Sequence, residues 1–486
     1  MKLDLLLKNI KHIKKADFNP KVNFLTCSTD EVKKDCVFAC LKGVNFDGHD
    51  FAKKALDFGA CAVIVEKDLN LPNQILVENS HKAFAKMCAN FCGNPSQKLK
   101  FIGVTGTNGK TSTTKIIKDI LTKHGKKVGL IGTIQNEIGD EIITTKNTTP
   151  THLEFQKLLK TMVSKQCEYV VMEVSSHALV QERIADTHFS IAIFTNLSQD
   201  HLDYHNTMEE YYEAKKRLFY RTENALINLD DEYGKRLFNE INCKGFSFSI
   251  KNSDATFIAK DIEMDCNGIK YLIEGKKIRE KVFFSTPGLF SVYNSMTALI
   301  CCYLLGFDIK KTAQILKSCP PIKGRSEKLA TKTDFTVICD YAHSPDGLKN
   351  ILSSINNYKK TRVITLFGCG GDRDKTKRPK MGQIAASYSD FLVVTSGNPR
   401  TEDPEKIIDE IIVGVQKTKT PYVKIVNREK AIYYALKIAR KDDIILLAGK
   451  GHETYQIIGT KKRNFDEGEI VKKAIDDLQI EKEIKN

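Results

Sequence analysis

One short stretch constrains the fold more than any other: Gly103-Val-Thr-Gly-Thr-Asn-Gly-Lys-Thr-Ser-Thr113 follows an apolar, strand-like run and precedes a helix-like one. A glycine-rich loop between a strand and a helix is typical of a phosphate-binding loop, in which backbone N–H groups turn toward an anion. Gly106 and Gly109 permit that turn, and Lys110 can reach the terminal phosphates. Val104 replaces the first glycine of the strict G-x-x-x-x-G-K-[ST] pattern, so the loop is a variant. Nucleotide hydrolysis or phosphoryl transfer is the predicted class of chemistry.

The length and charge of the chain narrow that class. At 486 residues the chain is too long for one ordinary core and is expected to form about three domains of roughly 150 residues. The 75 Lys and Arg residues exceed the 60 Asp and Glu residues, which gives a formal net charge of +15. The cations are interleaved with acids, as in Glu405-Lys-Ile-Ile-Asp-Glu410, and form no long run. We therefore expect a phosphate-rich small substrate as partner and no nucleic acid.

The cysteines and the apolar runs indicate a cytoplasmic protein. The 14 cysteines are scattered, often inside apolar runs such as Cys301-Cys302, which is typical of reduced, buried thiols rather than of disulfides or zinc sites. The N-terminal Met-Lys-Leu-Asp-Leu-Leu-Leu-Lys lacks the apolar core of a signal peptide, and the longest apolar run, near residues 296–307, is too short to span a bilayer. We expect no membrane insertion, and we expect a monomer.

Turn-rich segments divide the chain into three predicted α/β domains. Residues 1–98 alternate short strands and helices and close on Gly93-Asn-Pro-Ser-Gln-Lys98. Residues 99–326 contain the phosphate loop and further alternating strands and helices, which predicts a doubly wound, mostly parallel sheet. Two prolines in Cys319-Pro-Pro-Ile-Lys-Gly324 end the last helix of that domain, and residues 327–486 again alternate strands with helices.

Ligands of open α/β sheets bind beyond the carboxyl ends of the strands, so polar residues there are candidate site residues. Two predicted strand ends of the central domain carry Ser175-Ser-His-Ala-Leu-Val-Gln-Glu-Arg183 and Asn196-Leu-Ser-Gln-Asp-His-Leu-Asp-Tyr-His205. Glu173, at the end of an apolar strand, is costly to bury unless a cation pairs with it. Magnesium beside the phosphate loop would supply that cation.

Two histidines of the second segment raise the choice between zinc and a harder cation. His201 and His205 are spaced as on one helix face, which is zinc-like spacing. The oxygen ligands Asp200, Asp203 and Glu173 favour a hard cation instead. Capping and surface hydrogen bonds remain the alternative role for any one of these residues.

Four predicted strand ends of the third domain combine glycines with charged residues. They carry Asp340-Tyr-Ala-His-Ser-Pro-Asp346, Gly368-Cys-Gly-Gly-Asp-Arg-Asp-Lys-Thr-Lys-Arg-Pro379, Gly397-Asn-Pro-Arg-Thr-Glu-Asp-Pro404 and Gly449-Lys-Gly-His-Glu453. Glycines permit close backbone approach, and arginines such as Arg373 and Arg400 can bind carboxylates as planar forks. This pattern favours an amino acid or a nucleotide bound in a cleft.

Together these segments resemble the Mur ligases, the ATP-dependent peptide synthetases of cell-wall precursor assembly, over essentially the whole chain. The resemblance rests on Thr105-Gly-Thr-Asn-Gly-Lys-Thr111, Glu173-Val-Ser-Ser-His177, Asn196-Leu-Ser-Gln-Asp-His-Leu-Asp203, Asp340-Tyr-Ala-His343, Asn147-Thr-Thr149, Asn398-Pro-Arg400 and Gly451-His-Glu453. It implies a UDP-sugar domain, a central ATPase domain and a Rossmann-like third domain that closes over an amino acid. Within the family, the match is nearest to the members that add the third residue to UDP-N-acetylmuramoyl-L-alanyl-D-glutamate.

The resemblance also implies roles for individual residues. For ATP it implies Gly106, Thr107, Asn108, Gly109, Lys110, Thr111, Ser112, Asn294, Arg325 and Asp340. For the muramoyl substrate it implies Ser28, Asn45 and Asp47 at the uridine end, and Asn147, Thr148, Thr149, Ser175, Gln181 and Arg183 at the dipeptide end. For Mg²⁺ it implies Thr111, Glu173, His201 and Lys215, which with Lys110 are the predicted catalytic residues. Lys215 matches the lysine that the family carries as a carbamate (N6-carboxylysine), although Lys216 beside it is an alternative.

The expected reaction begins when the D-glutamyl carboxylate attacks the γ-phosphate of ATP. An amino group of the incoming residue then displaces phosphate from the acyl phosphate. Arg400 with Asn398 offers donors for the distal carboxylate of meso-diaminopimelate, and Glu453 could accept from its distal ammonium. Arg373 and Gly449 complete the predicted site for this amino acid.

Three alternatives remain at the level of sequence. A lysine-adding Mur ligase is the nearest, because Gly397 stands where the diaminopimelate subgroup has the first Asp of Asp-Asn-Pro-Arg. A folylpolyglutamate synthetase shares the phosphate loop but does not account for the domain before it. A nucleic-acid-stimulated ATPase would need clustered cations and exposed aromatic residues, and neither stands out.

Overall fold

A computed structural model of the protein describes residues 1–15, 17–43, 46–265 and 267–479. The chain forms two compact units, each built from several segments. The first unit comprises Met1–Gly106, Ile117–Thr195 and Asn206–Ser247. The second comprises Thr107–Ile116, Asn196–His205 and the described residues from Phe248 onward.

The first unit begins with a five-stranded, mostly parallel sheet. In spatial order its strands are His12–Lys15, Gln74–Val77, Ala60–Val65, Cys36–Ala39 and Phe24–Thr26, of which the first pairs antiparallel. Its helices are Leu3–Leu6, Ala52–Asp57 and Ser80–Cys92, with 3₁₀ turns at Thr29–Glu31, Gly48–Phe51 and Pro95–Lys98. The strands bury apolar side chains on both faces, since one apolar cluster lies under the helix Ser80–Cys92 and another under Ala52–Asp57.

A second, larger sheet in the first unit carries the strand that leads into the phosphate loop. In spatial order it contains Thr222–Asn228, Phe189–Phe194, Lys100–Thr105, Tyr169–Glu173, Val128–Ile131, Asn136–Ile138 and Glu141–Ile143; the last two are antiparallel. Continuous apolar runs such as Tyr169–Glu173 are buried throughout, as expected for parallel strands covered on both faces. The associated helices are Lys110–Lys123, His152–Ser164, Ser176–Val180, Met208–Lys216 and Glu232–Glu240, with a 3₁₀ turn at Arg217–Arg221.

The second unit contains an antiparallel meander and a second parallel sheet. The chain enters it within the strand Lys244–Ser249, and the meander is Phe257–Asp265, Gly268–Gly275 and Ile278–Phe284. The six-stranded sheet has the order Glu327–Lys328, Thr336–Asp340, Ile444–Ala448, Val363–Phe367, Phe391–Thr395 and Tyr422–Ile425, parallel except at its first strand. A hairpin follows at Tyr455–Ile458 and Lys461–Asn464. The helices are Leu202–His205, Leu289–Leu304, Ile309–Lys317, Pro345–Asn356, Lys377–Tyr388, Pro404–Val415, Arg428–Lys437 and Glu467–Asp477.

Helices cover both faces of this six-stranded sheet. Val363 and Phe367 pack with the helices Pro345–Asn356, Lys377–Tyr388 and Pro404–Val415. Ile364 and Leu366, which point to the opposite face, pack with Arg428–Lys437 and Glu467–Asp477. The sheet is therefore doubly wound.

The predicted α/β fold class is confirmed, and the boundaries at residues 98 and 326 stay a prediction. Val104 proves to be a buried residue of the strand Lys100–Thr105, so the loop begins after it and that position needs no glycine conformation. The meander was not expected from the sequence. No described helix is long and apolar enough to cross a membrane.

Candidate active site

The phosphate loop adopts the conformation that its glycines allow. Gly106 has a φ of 143° directly after its strand, and Gly109 has a φ of 86° directly before the helix Lys110–Lys123. Residues with a Cβ are strained at such positive φ values. The ammonium of Lys110 donates to the carbonyl oxygen of Thr107 at 2.8 Å and so lies over the loop. Backbone N–H groups and one ammonium thus meet at the N-terminus of a helix, which is an arrangement suited to binding phosphate.

Asn196 holds the loop in place. The backbone N–H of Thr107 donates to the carbonyl oxygen of Asn196 at 2.8 Å, and the N–H of Asn108 donates to its Oδ1 at 2.9 Å. The Nδ2 of Asn196 donates in return to the carbonyl oxygen of Asn108 at 3.1 Å. Thr107 Oγ1 also donates to the Ser198 carbonyl oxygen at 3.2 Å and accepts from the Ser198 N–H at 3.0 Å. The loop is therefore held by both the backbone and the side chain of Asn196 and by the backbone of Ser198.

Two residues predicted near the adenosine contact the start of the phosphate-loop helix. Arg325 Nη2 donates to Thr111 Oγ1 at 3.1 Å, and Thr113 Oγ1 donates to Asn294 Oδ1 at 3.3 Å. Asn294 is buried, while the neighbouring Ser112 is half-buried. The second unit thus brings together Thr111, Asn294 and Arg325, whereas their role in ATP binding stays a prediction.

Asp340 has a structural task in the same region. Its two carboxylate oxygens accept from the backbone N–H groups of Ser326 and Ala342, each at 2.7 Å. Burial raises the pKa of Asp340, and the nearby Arg325 opposes that shift. The carboxylate therefore shapes the turn that follows its strand.

An aromatic cluster lies beside Asp340. The guanidinium of Arg325 is 4.7 Å from the ring centroid of Tyr341, and the rings of His343 and His452 are 4.6 and 4.8 Å from that of Tyr341. Burial lowers the pKa of His343, and burial with the nearby Arg325 lowers the pKa of His452 to about 3. Both imidazoles are therefore neutral at physiological pH, and the cluster offers flat, uncharged rings.

His201 lies outside the helix that the sequence suggested. Its φ of 55° is left-handed, and the helix Leu202–His205 begins after it. The expectation that His201 and His205 share a helix face is therefore wrong: the His201 side chain is 45% exposed, whereas His205 is buried. Burial raises the pKa of Asp200, but His201 Nε2, 3.6 Å from its Oδ2, and the nearby His343 and Lys377 lower it to about 2.

Glu173, in the first unit, is buried at the end of its strand and is only 1% exposed. Its Oε1 accepts from the backbone N–H of Thr133 at 2.8 Å, and its Oε2 accepts from the Thr133 hydroxyl at 3.0 Å. That hydroxyl also lies 3.0 Å from Thr148 Oγ1, while the neighbouring Asn147 is exposed. A Cβ at Gly132 would come within 2.6 Å of Glu173 Oε1, so glycine leaves room for the carboxylate. The hydroxyl of Thr133 thereby connects Thr148 with the Glu173 carboxylate.

Lys215 and Lys216 differ sharply in their surroundings. Lys215 is 1% exposed, and its Nζ donates to the carbonyl oxygen of Gly106 at 2.8 Å. Lys216 instead forms ion pairs with Glu240 at 2.7 Å and with Glu213 at 3.3 Å. Only Lys215 therefore faces the beginning of the phosphate loop.

A buried carboxylate and oxygen donors are the ligands that Mg²⁺ prefers, and Glu173 fits that chemistry. Among the residues that the structure describes, no three His, Cys, Asp or Glu side chains form a ready-made metal site. A carbamate on Lys215 would add one further carboxylate to these unmodified side chains. The donor set therefore fits a hard cation if Lys215 is modified.

The residues predicted for the dipeptide form one connected group in the first unit. Thr149 Oγ1 donates to the carbonyl oxygen of Glu173 at 2.9 Å and accepts from the N–H of Ser175 at 3.1 Å. Arg183 Nη1 donates to the Thr149 carbonyl oxygen at 2.8 Å. Arg183 Nε and Nη2 both donate to Gln181 Oε1, at 2.9 and 2.7 Å. The structure thus brings four of the six predicted residues together near the Glu173 backbone.

Two histidines that the sequence did not single out support this group. His152 Nε2 and His81 Nδ1 lie 2.9 and 3.1 Å from the carbonyl oxygen of Gln181. His81 Nε2 lies 3.1 Å from the carbonyl oxygen of Lys42. Neither residue belongs to a motif, so only their position in the fold identifies them.

The predicted uridine end is described in part. Asp47 Oδ1 accepts from the backbone N–H of His49 at 3.0 Å and lies 2.5 Å from His49 Nδ1, while its Oδ2 lies 3.3 Å from Lys67 Nζ. The hydrogen bond from the His49 backbone is the main cause that lowers the pKa of Asp47. Ser28 is half-buried, and Asn45 lies outside the described residues.

Asn398 and Glu453 meet at two strand ends of the second unit. Asn398 Nδ2 donates to Glu453 Oε2 at 3.0 Å. Lys450, which the sequence did not single out, donates through Nζ to Asn398 Oδ1 at 3.1 Å and to Glu453 Oε2 at 3.0 Å. Gly449, with a φ of 102°, directly follows the strand Ile444–Ala448 and makes the turn before Lys450 and Glu453.

Arg400 lies near the same group. Its Nη1 donates to the carbonyl oxygen of Gly371 at 2.7 Å, and its pKa is lowered by burial and by the nearby Arg373, which is exposed. A Cβ at Gly397 would come within 2.9 Å of the Cys369 carbonyl oxygen. The glycine that departs from the subgroup pattern is therefore matched to a close backbone approach.

A buried arginine connects two loops of this site, the loop that contains Gly370 and the loop that contains Glu402. Arg378, which is 0% exposed, donates from Nη2 to Glu402 Oε1 at 2.9 Å and to the carbonyl oxygen of Gly370 at 3.1 Å. Its Nη1 donates to Glu402 Oε2 at 3.0 Å and to Glu410 Oε2 at 2.8 Å. The sequence offered only a helix-start arginine as a signal, so Arg378 could not be distinguished from a solvated cation.

The fold and these strand-end clusters define a nucleotide-dependent ligase, and comparison with known proteins gives its family. The sequence matches the Mur ligase family, catalytic domain, at residues 21–92; the Mur ligase middle domain at residues 104–302; and the Mur ligase, glutamate ligase domain, at residues 324–451. The chain belongs to the Mur ligase family.

Two relatives and one solved structure are similar over nearly the whole chain. The UDP-N-acetylmuramoyl-L-alanyl-D-glutamate--2,6-diaminopimelate ligase of Caldanaerobacter subterraneus subsp. tengcongensis is 45% identical over 479 residues, which cover 98% of this chain and 99% of that one. Ligase 1 of the same name from Clostridium acetobutylicum is 44% identical over 484 residues, covering 98% and 100%. A solved structure of a ligase with this name has a TM-score of 0.69 at 30% identity and covers 94% of this chain and 95% of that one.

Proposed function

We propose that the chain is an ATP-dependent ligase that adds meso-2,6-diaminopimelate to the D-glutamate of UDP-N-acetylmuramoyl-L-alanyl-D-glutamate, a step of peptidoglycan precursor synthesis. The observation that carries this proposal is the group of Asn398, Arg400 and Glu453 at adjoining strand ends. It combines a guanidinium and an amide N–H, which suit a carboxylate, with a carboxylate, which suits an ammonium. The names of the relatives that match nearly the whole chain support the same substrate.

The first step would transfer the γ-phosphoryl group of ATP to the D-glutamyl carboxylate. The carboxylate oxygen bonds to phosphorus as the bond to the β-γ bridging oxygen breaks, giving an acyl phosphate and ADP. Asn196 fixes the phosphate loop, and Lys110 offsets the repulsion between a carboxylate and a polyanion. Positioning and charge neutralisation therefore supply most of the catalysis.

Magnesium would further neutralise the phosphates when bound. Glu173 and a carbamate on Lys215 would hold it from the first unit, and the Lys216 ion pairs support Lys215 as the modified lysine. Thr111 and His201 stay predicted ligands by resemblance. In the second step the amine of the incoming residue attacks the acyl carbon and phosphate leaves; the proposed role of Arg400 and Asn398 is to hold its distal carboxylate.

Phosphate release with ATP and the UDP-dipeptide tests the proposal. We expect release with meso-diaminopimelate, much less with L-lysine, and none when the UDP-dipeptide is omitted. The Lys110→Ala variant is the control for release by a contaminating phosphatase. A preference for lysine would overturn the proposed amino acid, whereas release that depends on polynucleotide instead of the UDP-dipeptide would overturn the reaction.

The monomeric state and cytoplasmic location also remain proposals. Light scattering during size-exclusion chromatography checks the first, and fractionation of cells checks the second.

A further inference from the structure

Lys450 is the least exposed charged side chain of the strand-end group around Asn398. Its side chain is 1% exposed, against 11% for the side chain of Glu453, and its Nζ lies 3.0 Å from Glu453 Oε2. The rings of Tyr455 and Phe465 lie 5.7 and 5.9 Å from that ammonium. Burial lowers the pKa of Lys450, and Glu453 opposes the shift. A cation held this far from water requires its carboxylate partner.

The hydrogen bonds around Asn398 fix which way its amide points. Asn398 Oδ1 accepts from Lys450 Nζ and, at 3.1 Å, from the backbone N–H of Ile457. Both partners can only donate, and the Glu453 carboxylate beside Nδ2 can only accept. The amide oxygen has used both of its lone pairs. What Asn398 can still offer a ligand is its second N–H, which suits a carboxylate and not an ammonium.

The charges of the group lead to the same selectivity. Lys450 and Glu453 form a pair of zero net charge, and Arg400 and Arg373 remain near each other as two guanidiniums. The nearby carboxylate of Asp372 accepts from the N–H and the hydroxyl of Thr401. The site as a whole therefore favours a side chain that brings a carboxylate. A lysine side chain would bring its ammonium without the carboxylate that these guanidiniums favour.

We propose that Lys450 is a specificity-determining residue, which positions Asn398 and neutralises Glu453 so that the site takes an amino acid with a distal carboxylate. This inference rests on the proposed function. Without Lys450, Glu453 would carry an uncompensated negative charge into the site, and Asn398 Oδ1 would lose one of the two donors that hold its orientation. Both changes disfavour diaminopimelate and favour the lysine side chain.

The test compares kcat/KM for meso-diaminopimelate and for L-lysine in the wild type and in variants of Lys450 and Lys462. In Lys450→Met we expect the ratio of the two to fall by about tenfold or more, with the KM for the UDP-dipeptide nearly unchanged. Lys450→Arg keeps the charge and should keep most of the selectivity. Lys462→Met removes a cation that lies 3.6 Å from the Tyr455 ring but is not paired with Glu453, so it should leave the ratio unchanged.

A double variant separates charge from folding. In Lys450→Met/Glu453→Gln the group is again uncharged, so we expect the ratio to return toward that of the wild type and the thermal midpoint to exceed that of Lys450→Met. A folded Lys450→Met with the wild-type ratio would overturn the inference, as would a double variant whose ratio stays as low as that of the single one. If the wild type itself prefers lysine, the proposed function fails instead.

Discussion

The ammonium of Lys215 donates to the carbonyl oxygen of Gly106 at 2.8 Å, so a buried lysine is hydrogen-bonded to the first residue of the phosphate loop. The ring of Tyr211 lies 4.5 Å from the same ammonium. Lys216, one residue later, points to Glu240 and Glu213. Adjacent positions on one helix therefore serve different purposes, since successive side chains point about 100° apart.

Lys215→Ala tests the carbamate. We expect activity to fall by about a hundredfold or more, because a ligand for magnesium would be lost. Formate or acetate should restore part of it by supplying a free carboxylate. Lys216→Ala, the matched control, should stay within about threefold of the wild type, since it loses mainly partly exposed ion pairs. Loss that no short carboxylate relieves would count against the carbamate.

Asn196→Ala should loosen the phosphate loop. The change removes the two side-chain hydrogen bonds to Asn108 while it leaves the backbone bond to Thr107. At about 1 kcal/mol for each bond, we expect the KM for ATP to rise by about tenfold or more. Steady-state kinetics at saturating UDP-dipeptide gives this value, and Asn224→Ala, at an amide that donates to Ser190 in another strand, is the control. An unchanged KM for ATP would show that the Asn196 side chain does not contribute to ATP binding.

Arg400→Ala should affect one substrate. We expect the KM for diaminopimelate to rise by about tenfold or more and the KM for the UDP-dipeptide to stay nearly constant, because the lost guanidinium would bind the distal carboxylate. Arg400→Lys keeps the charge without the fork and should recover only part of the affinity. Arg279, whose side chain is 75% exposed, provides the control Arg279→Ala. Equal losses for both substrates would refute the role.

His152 should make stability depend on pH. Burial lowers the pKa of His152 to about 3 from an ordinary 6.5, so the folded protein keeps this ring neutral while the unfolded chain takes up a proton below pH 6.5. The unfolded state then binds more protons, and the free energy of unfolding falls by up to about 1.4 kcal/mol per pH unit as the pH drops from 6.5 toward 3. Above pH 6.5 the contribution is constant.

Thermal midpoints at pH 8 and pH 5.5 measure this effect. In His152→Gln the amide can still donate to the Gln181 carbonyl. The thermal midpoint of this variant should decrease less from pH 8 to pH 5.5 than that of the wild type. His188→Gln, at a histidine whose side chain is 64% exposed, should behave like the wild type. Parallel curves for the wild type and His152→Gln would show that this ring does not titrate on unfolding.

Much of the fold could be predicted because local sequence patterns indicate its strands and helices. Apolar runs such as Val363–Phe367 and Phe391–Thr395 indicate short buried strands because glycine and polar residues flank them, and the structure has strands at these positions. The meander between Phe257 and Phe284 was missed because its strands are half polar and resemble exposed segments. His201 was misplaced because helical spacing does not reveal a left-handed residue before the helix.

The candidate site divides in the same way. Gly106, Gly109, Lys110 and Glu173 could be named from the sequence, because glycines at a strand end and a charge after an apolar run are local signals. Lys450 and Arg378 lie in two of the predicted strand-end segments, but no local signal distinguished them from the other charged residues there. Each looks like one more lysine or arginine in a chain with 75 of them, and only the burial of its charged group distinguishes it. Lys450 is buried against Asn398 and Glu453, and Arg378 is buried against Glu402.

The sequence by itself determined the class of fold, the phosphate loop and the strand ends at which ligands are expected, because strand, turn and helix propensities act over a few residues. The tertiary structure decided which of two adjacent lysines faces the loop and which way the amide of Asn398 points. Those choices depend on groups that are far apart in the chain. Asn398 and Lys450 are 52 residues apart, and Lys215 and Gly106 are 109 apart, so only the folded chain brings these donors and acceptors within hydrogen-bond distance.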